Sequence, residues 1–115
     1  MKIVNFAEMN SELNRFVAEI RDIHIQQDRL RFRKNLERIG EVMSYEISKD
    51  FRYSEKLVTT PLGTARVNTA DDKIVIGTIL RAGIPYHQGF LNYFDRAENA
   101  FVSAYRKYKD KLNFE

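Results

Sequence analysis

The sequence contains no cysteine. Disulfides, thiolate nucleophiles and thiolate metal sites are therefore excluded. Its five glycines are dispersed, so neither a G-x-G-x-x-G fingerprint nor a Walker A loop occurs, and there is no glycine-rich cradle for a phosphate. No apolar run approaches the roughly 20 residues of a membrane-spanning helix. The opening segment "MKIVNFAEMN" holds a single early lysine and no apolar core, so no signal peptide is expected and the expected compartment is the cytoplasm. Neither sign of charge dominates: 19 Lys and Arg against 16 Asp and Glu leave a net charge of +3. So small an excess, spread along the chain, does not imply a nucleic-acid or membrane partner. Repeats, low-complexity tracts and linkers are also missing.

What is present is globular. Of 115 residues, 43% are hydrophobic and 12% aromatic, which suits one domain at most, or part of one. From Ser11 to Ile20, the spacing of Leu13, Phe16, Val17 and Ile20 predicts a helix capped by Asn10 or Ser11. A second helix is predicted behind Asp28, with Phe32, Leu36, Ile39, Met43 and Ile47 on its apolar stripe. Arg31, Lys34, Glu37, Arg38 and Glu41 read as its solvated face. Arg29, Arg31, Arg33 and Lys34 scatter around that helix, which argues against a groove-reading nucleic-acid surface.

After Asp50 the pattern turns to strands. "KLVTTPLGTARVN" predicts a hairpin, Lys56–Asn68, turning at Pro61-Leu62-Gly63. Asp71-Asp72 reads as a turn and not as a metal pair. "KIVIGTIL", Lys73–Leu80, has no alternation and resembles a strand buried on both faces, as in parallel sheets. Pro85 suits a first helical position, and Tyr86, Phe90, Leu91 and Phe94 continue an apolar stripe. Tyr86, Phe90, Tyr93 and Phe94 are expected in the core, with no base-stacking role. Ala100–Arg106 reads as a second buried strand. Strand, helix and strand in this order predict a right-handed βαβ unit with two parallel strands.

That topology gives Arg81 a meaning. It follows the first strand, and Arg106 ends the second, so both guanidiniums fall on the carboxyl rim, where open α/β sheets bind ligands. The helix starting near Ile84 points its N-terminus to the same rim, which favours an anion. Gly83 permits close backbone approach. Two guanidinium forks beside a helix start suit a phosphate-rich ligand. Against this, a lone arginine after a strand is more often a surface residue paired with a nearby carboxylate. His24 and His87 lack a second ligand at metal spacing, and His87 is expected to be a surface or internally satisfied imidazole.

Four segments carry a resemblance. "SYEISKD" (Ser44–Asp50), "TTPLG" (Thr59–Gly63), "ILRAG" (Ile79–Gly83) and "AYRKYK" (Ala104–Lys109) occur in the order and spacing of the front half of uracil phosphoribosyltransferase, from about Ile20 to Glu115. The resemblance implies an α/β fold of the type I phosphoribosyltransferase class. It would be represented here by N-terminal helices, a β-hairpin arm and a first parallel βαβ unit, with residues 1–115 forming the N-terminal part of a single domain. It implies that Arg81, Ala82 and Gly83, with Arg106, grip the diphosphate of phosphoribosyl diphosphate (PRPP), and that a cis non-proline peptide lies within Leu80–Gly83. It further implies uracil as the second substrate, magnesium carried on PRPP, and a homodimer or higher homo-oligomer reached by the hairpin arm.

The family's acidic residue with its Thr-Gly-Gly-like loop for the 5′-phosphate, and its uracil hood, would lie beyond the position of Glu115. "KYKDKLNFE" also departs from the family's acidic stretch. No catalytic residue is therefore assigned within these 115 residues, and the chain alone is expected to be inactive. A strand edge left unpaired is expected to make it self-associate or be poorly stable. The alternative function on the same fold is a non-catalytic nucleotide- or PRPP-sensing regulatory module.

Overall fold

Helix α1 spans Leu13–Arg21 and helix α2 spans Arg29–Ser48 in the computed structural model, which describes residues 1–104. The start of α2 is as expected. Asp28 is extended, and its carboxylate accepts from the Arg31 backbone N–H, satisfying an amide that the first turn leaves without a partner. The start of α1 is not. Glu12 occupies the cap position and makes no capping bond, because its carboxylate is held by Arg15 at 2.7 Å. Neither Asn10 nor Ser11 caps with its side chain.

The two helices meet through a polar contact as well as an apolar one. Leu13 and Ile39 are buried, but so is Asn35, on the stripe read as apolar. Its amide donates to the Glu19 carboxylate at 2.8 Å, and Arg31 approaches the same carboxylate at 3.4 Å. The Asn35 hydrogen bond, then Arg31, hold the Glu19 carboxyl below its usual range. Ile47, at the far end of the stripe, is exposed.

Strand β1, Tyr53–Thr60, pairs antiparallel with β2, Gly63–Ala70, with Thr60 opposite Gly63. The predicted hairpin lies inside these bounds. Gly63 has φ of +136°, a conformation that disfavours any residue with a Cβ. The Thr60 hydroxyl donates to the Gly63 carbonyl and accepts from the Leu62 N–H. At the base, the Asp72 carboxylate accepts from the Arg52 backbone and side chain, and the Asp71 N–H donates to the Arg52 carbonyl. The acidic pair is thus a clasp at the foot of the hairpin. The strands pack on each other rather than on the rest of the chain, and the molecule is elongated, 71 × 33 × 31 Å.

Strand β3, Val75–Leu80, and strand β4, Glu98–Ser103, pair in parallel, with Val75 opposite Glu98 and Leu80 opposite Ser103. Helix α3, Ile84–Tyr93, connects them. This is the expected strand–helix–strand unit, with one correction. The strands are not buried on both faces. Ile76 is 8% exposed, whereas Val75 and Ile79 are 60% and 63% exposed and β4 is exposed throughout. Helix α3 covers the face bearing Ile76 and Thr78, and no described element covers the other.

What fixes α3 is its crossing with α2. Gly40 and Gly89 face each other there. A Cβ on Gly40 would stand 2.5 Å from the Tyr86 carbonyl oxygen, and one on Gly89 would collide with the backbone of Glu37 and Glu41. Close approach of two helices demands glycine at such a point. Next to it, the Asn92 amide donates to both Glu37 and Glu41, at 2.7 Å each. Two carboxylates read as solvated are therefore part of the helix contact.

Candidate functional site

The parallel pair and α3 bring three sequence-predicted residues to one rim. β3 ends at Leu80 and α3 begins at Ile84, so Arg81, Ala82 and Gly83 form the whole connection. Arg81 and Ala82 are exposed. The Leu80–Arg81 peptide bond is cis, within the expected segment. An open cleft runs beside the loop, bounded by Thr78, Arg81, Gly83, Tyr86 and Ala104. Ala104 follows the end of β4, so the chain leaves that strand at the same rim. Arg106 lies outside the described residues.

Among the described residues, Arg81 supplies the charge on this rim. Among the described residues, no carboxylate stands within ion-pair distance of its guanidinium. Among the described residues, Arg81 does not meet the ordinary fate of a surface arginine, pairing with a neighbouring acid. A planar cation with five donors, with no ion-pair partner among the described residues, is suited to two oxygens of a phosphate group.

The helix start contributes less than the sequence suggested. Pro85 is the second helical residue and has no N–H. The Gly83 and Ile84 amides are taken by the carbonyls of Ile79 and Arg81, at 3.3 and 3.1 Å. The dipole of α3 still favours an anion, but its first amides are largely committed to the loop.

Gly83 also has a different reason to be glycine. Its φ is −76°, which any residue adopts. A Cβ there would fall 2.7 Å from Thr78 Cγ2 and 2.9 Å from the Ile79 carbonyl oxygen. The close approach is between the loop and its own strand.

His87 is not at the cleft surface. It is 4% exposed, and both ring nitrogens are engaged. Nδ1 lies 2.5 Å from the Thr78 hydroxyl and Nε2 lies 2.7 Å from Asn99 Oδ1. This is the internally satisfied imidazole of the two sequence expectations. Of the aromatics expected in the core, Phe90 and Phe94 are half-buried, the latter against Phe51 at 5.5 Å. Tyr93 is exposed, and Tyr86 packs edge-on to Phe90 while forming one wall of the cleft. Partial burial raises the Tyr86 phenol above its ordinary value, so it stays protonated at neutral pH. Among the described residues no three His, Asp or Glu side chains converge as a metal site.

Sequence reasoning missed Thr78, Asn99 and the glycine pair. Only the glycines left a signal, as isolated Gly40 and Gly89 inside helical patterns.

Comparison with known proteins covers nearly the whole chain. Residues 9–113 match the family described as uracil phosphoribosyltransferase. A uracil phosphoribosyltransferase of Porphyromonas gingivalis is 62% identical over 115 residues, which is 100% of this chain and 53% of that protein. One from Methanococcus vannielii is 37% identical over 94 residues, 80% of this chain and 40% of its own length. A solved protein from Aquifex aeolicus superposes with a TM-score of 0.71 at 29% identity, over 91% of this chain and 50% of the other. The chain spans about half the length of the curated relatives it matches. On this match, which takes in both helices, the hairpin and the βαβ unit, the chain belongs to the uracil phosphoribosyltransferase family.

Proposed function

We propose that this chain is the N-terminal portion of an enzyme that makes UMP and diphosphate from uracil and PRPP, and that its Arg81–Gly83 loop binds the diphosphate. The observation that carries this reading is the unpaired Arg81 guanidinium on the carboxyl rim of the parallel strands, among the described residues, in a chain of this family. Ala82 and Gly83 shape the loop, and Arg106 supplies the second guanidinium.

In the reaction, a uracil ring nitrogen forms a bond to ribose C1 as the C1–oxygen bond to diphosphate breaks, and the nitrogen's proton is lost. Positive charge grows on the sugar and negative charge on the departing diphosphate. A guanidinium fixed beside the leaving group stabilises that separation more in the transition state than in the ground state. Magnesium would be carried on PRPP oxygens, where it would help neutralise the charge of the departing diphosphate, and an ion that keeps its waters would need few protein ligands. The hairpin arm reaches a second subunit, giving a homodimer or higher homo-oligomer in the cytoplasm.

None of the 115 residues forms a glycine-rich loop for the PRPP 5′-phosphate. The 115-residue chain alone is therefore expected to make no UMP, and its β3–β4 face, one side of which no described element covers, to drive self-association. The test is UMP formation from uracil, PRPP and magnesium, by the full-length protein and by the 115-residue chain, with the solution mass of each. Turnover by the first alone is the expected result. A monomeric 115-residue chain that makes UMP would overturn this placement of the site.

A further inference from the structure

We propose that His87 is a positioning residue for the Arg81 loop, acting through Thr78. The inference rests on the reading of that loop as the diphosphate site. His87 is among the least exposed residues of the chain and the only buried titratable one among those described. An imidazole is expensive to bury unless both nitrogens find partners. Asn99 Oδ1 is an acceptor, so in the neutral ring Nε2 carries the proton, and Nδ1 accepts from the Thr78 hydroxyl.

That second bond has a consequence at the loop. Threonine is β-branched, and its χ1 has few choices. Fixing the hydroxyl on His87 also fixes the methyl, which lies directly beneath Gly83, 2.7 Å from where a Cβ would stand. The Gly83 carbonyl in turn accepts from the His87 backbone N–H at 2.8 Å. One residue thus holds the end of the loop by its backbone and the floor of the loop by its ring. The same ring reaches β4 through Asn99 and lies 4.9 Å from the Phe101 ring. β3, α3 and β4 are all referenced to it. Arg81 sits two residues before Gly83, so a shift of this floor moves the guanidinium. A displacement on the order of 1 Å in a substrate-positioning group can cost about a hundredfold in rate.

The test uses the full-length protein and two readouts. The first is KM for PRPP and for uracil. The second is hydrogen exchange of residues 79–84, with the α2 amides as the folding control. His87→Ala should raise the PRPP KM about tenfold and leave the uracil KM within about twofold, because only one substrate touches this loop. Thr78→Val keeps the shape but loses the hydroxyl, and should reproduce most of that rise. The double variant should be no worse than the larger single one, since both break one link. His87→Gln, which can donate and accept, should recover part of the loss. In each impaired variant, residues 79–84 should exchange faster while α2 stays protected.

If His87→Ala does not fold, Thr78→Val and Asn99→Ala decide, the latter at an exposed position where no cavity is left. Folded variants with wild-type PRPP KM and wild-type exchange in the loop would overturn the proposal, as would equal rises in both KM values or additive effects. Failure of the functional reading looks different: no UMP from the wild type, or an Arg81→Ala variant with unaltered PRPP dependence. Exchange in residues 79–84 still decides whether His87 holds the loop.

Discussion

The hairpin and the parallel pair are both two-stranded sheets, but they are held in opposite ways. β1 and β2 carry their own closure. The Pro61-Leu62 turn, the positive φ of Gly63 and the Thr60 bonds set the register locally. The Arg52–Asp72 clasp closes the base. β3 and β4 have no such closure. Their register depends on α3, and α3 depends on α2 through the Gly40–Gly89 contact and the Asn92 bridge. An antiparallel ribbon with a short turn is a local object, whereas a parallel pair needs a crossover and something to pack it against. The proposed site lies on the second kind of sheet, whose geometry is set by residues far away in sequence.

The largest effect should come from breaking that dependence. Gly89→Val places atoms against the backbone of α2, which cannot yield as a side chain could. We expect a loss of about 3 kcal/mol or more in unfolding free energy. Exchange should rise across β3, α3 and β4 and stay near wild type in the hairpin. Uniform loss of protection in both sheets would show that the hairpin is not a separate object. Gly63→Ala is the converse. Nothing lies within 4 Å of the added carbon, so the cost is backbone conformation alone, about 1–2 kcal/mol. It should loosen β1 and β2 and leave the PRPP KM unchanged.

Reading these two sheets from the amino acids succeeded unequally, for the same physical reason. The hairpin was legible because its signals, Pro61, Leu62 and Gly63, are adjacent. The Asp28 cap and the order of strand, loop and helix around Arg81 were legible too, since each is a local pattern. The two-sided burial of β3 and β4 was not correct, because apolar composition does not say which face a neighbour covers. The burial of Asn35 was not legible, because its partner Glu19 lies on the other helix. Thr78, His87 and Asn99 come from three elements, and no spacing rule links them. The capping expectation at Asn10 or Ser11 failed because Arg15 engages Glu12 and backbone bonds close the turn. Arg106 lies outside the described residues.

A smaller effect should separate the helical frame from the hairpin by pH. The Glu19 carboxyl is held below its ordinary value, first by the Asn35 hydrogen bond and then by Arg31. A depressed carboxyl stabilises the fold above its unfolded pKa, about 4.3 for glutamate. That contribution fades as pH falls toward and through the lower folded value. Unfolding midpoints followed across this acid range should drop for the wild type. In Glu19→Gln the drop should be shallower. Equal acid sensitivity in the two proteins would remove Glu19 from the account.

The central claim is that Arg81 grips the diphosphate of PRPP from the rim of β3. The direct measurement is kcat/KM for PRPP of the full-length Arg81→Ala variant at saturating uracil. A charge-assisted contact of this kind is worth about 1.5–3 kcal/mol, so the value should fall roughly ten- to a hundredfold. The uracil KM should change little. Wild-type dependence on PRPP in a folded Arg81→Ala protein would contradict the claim.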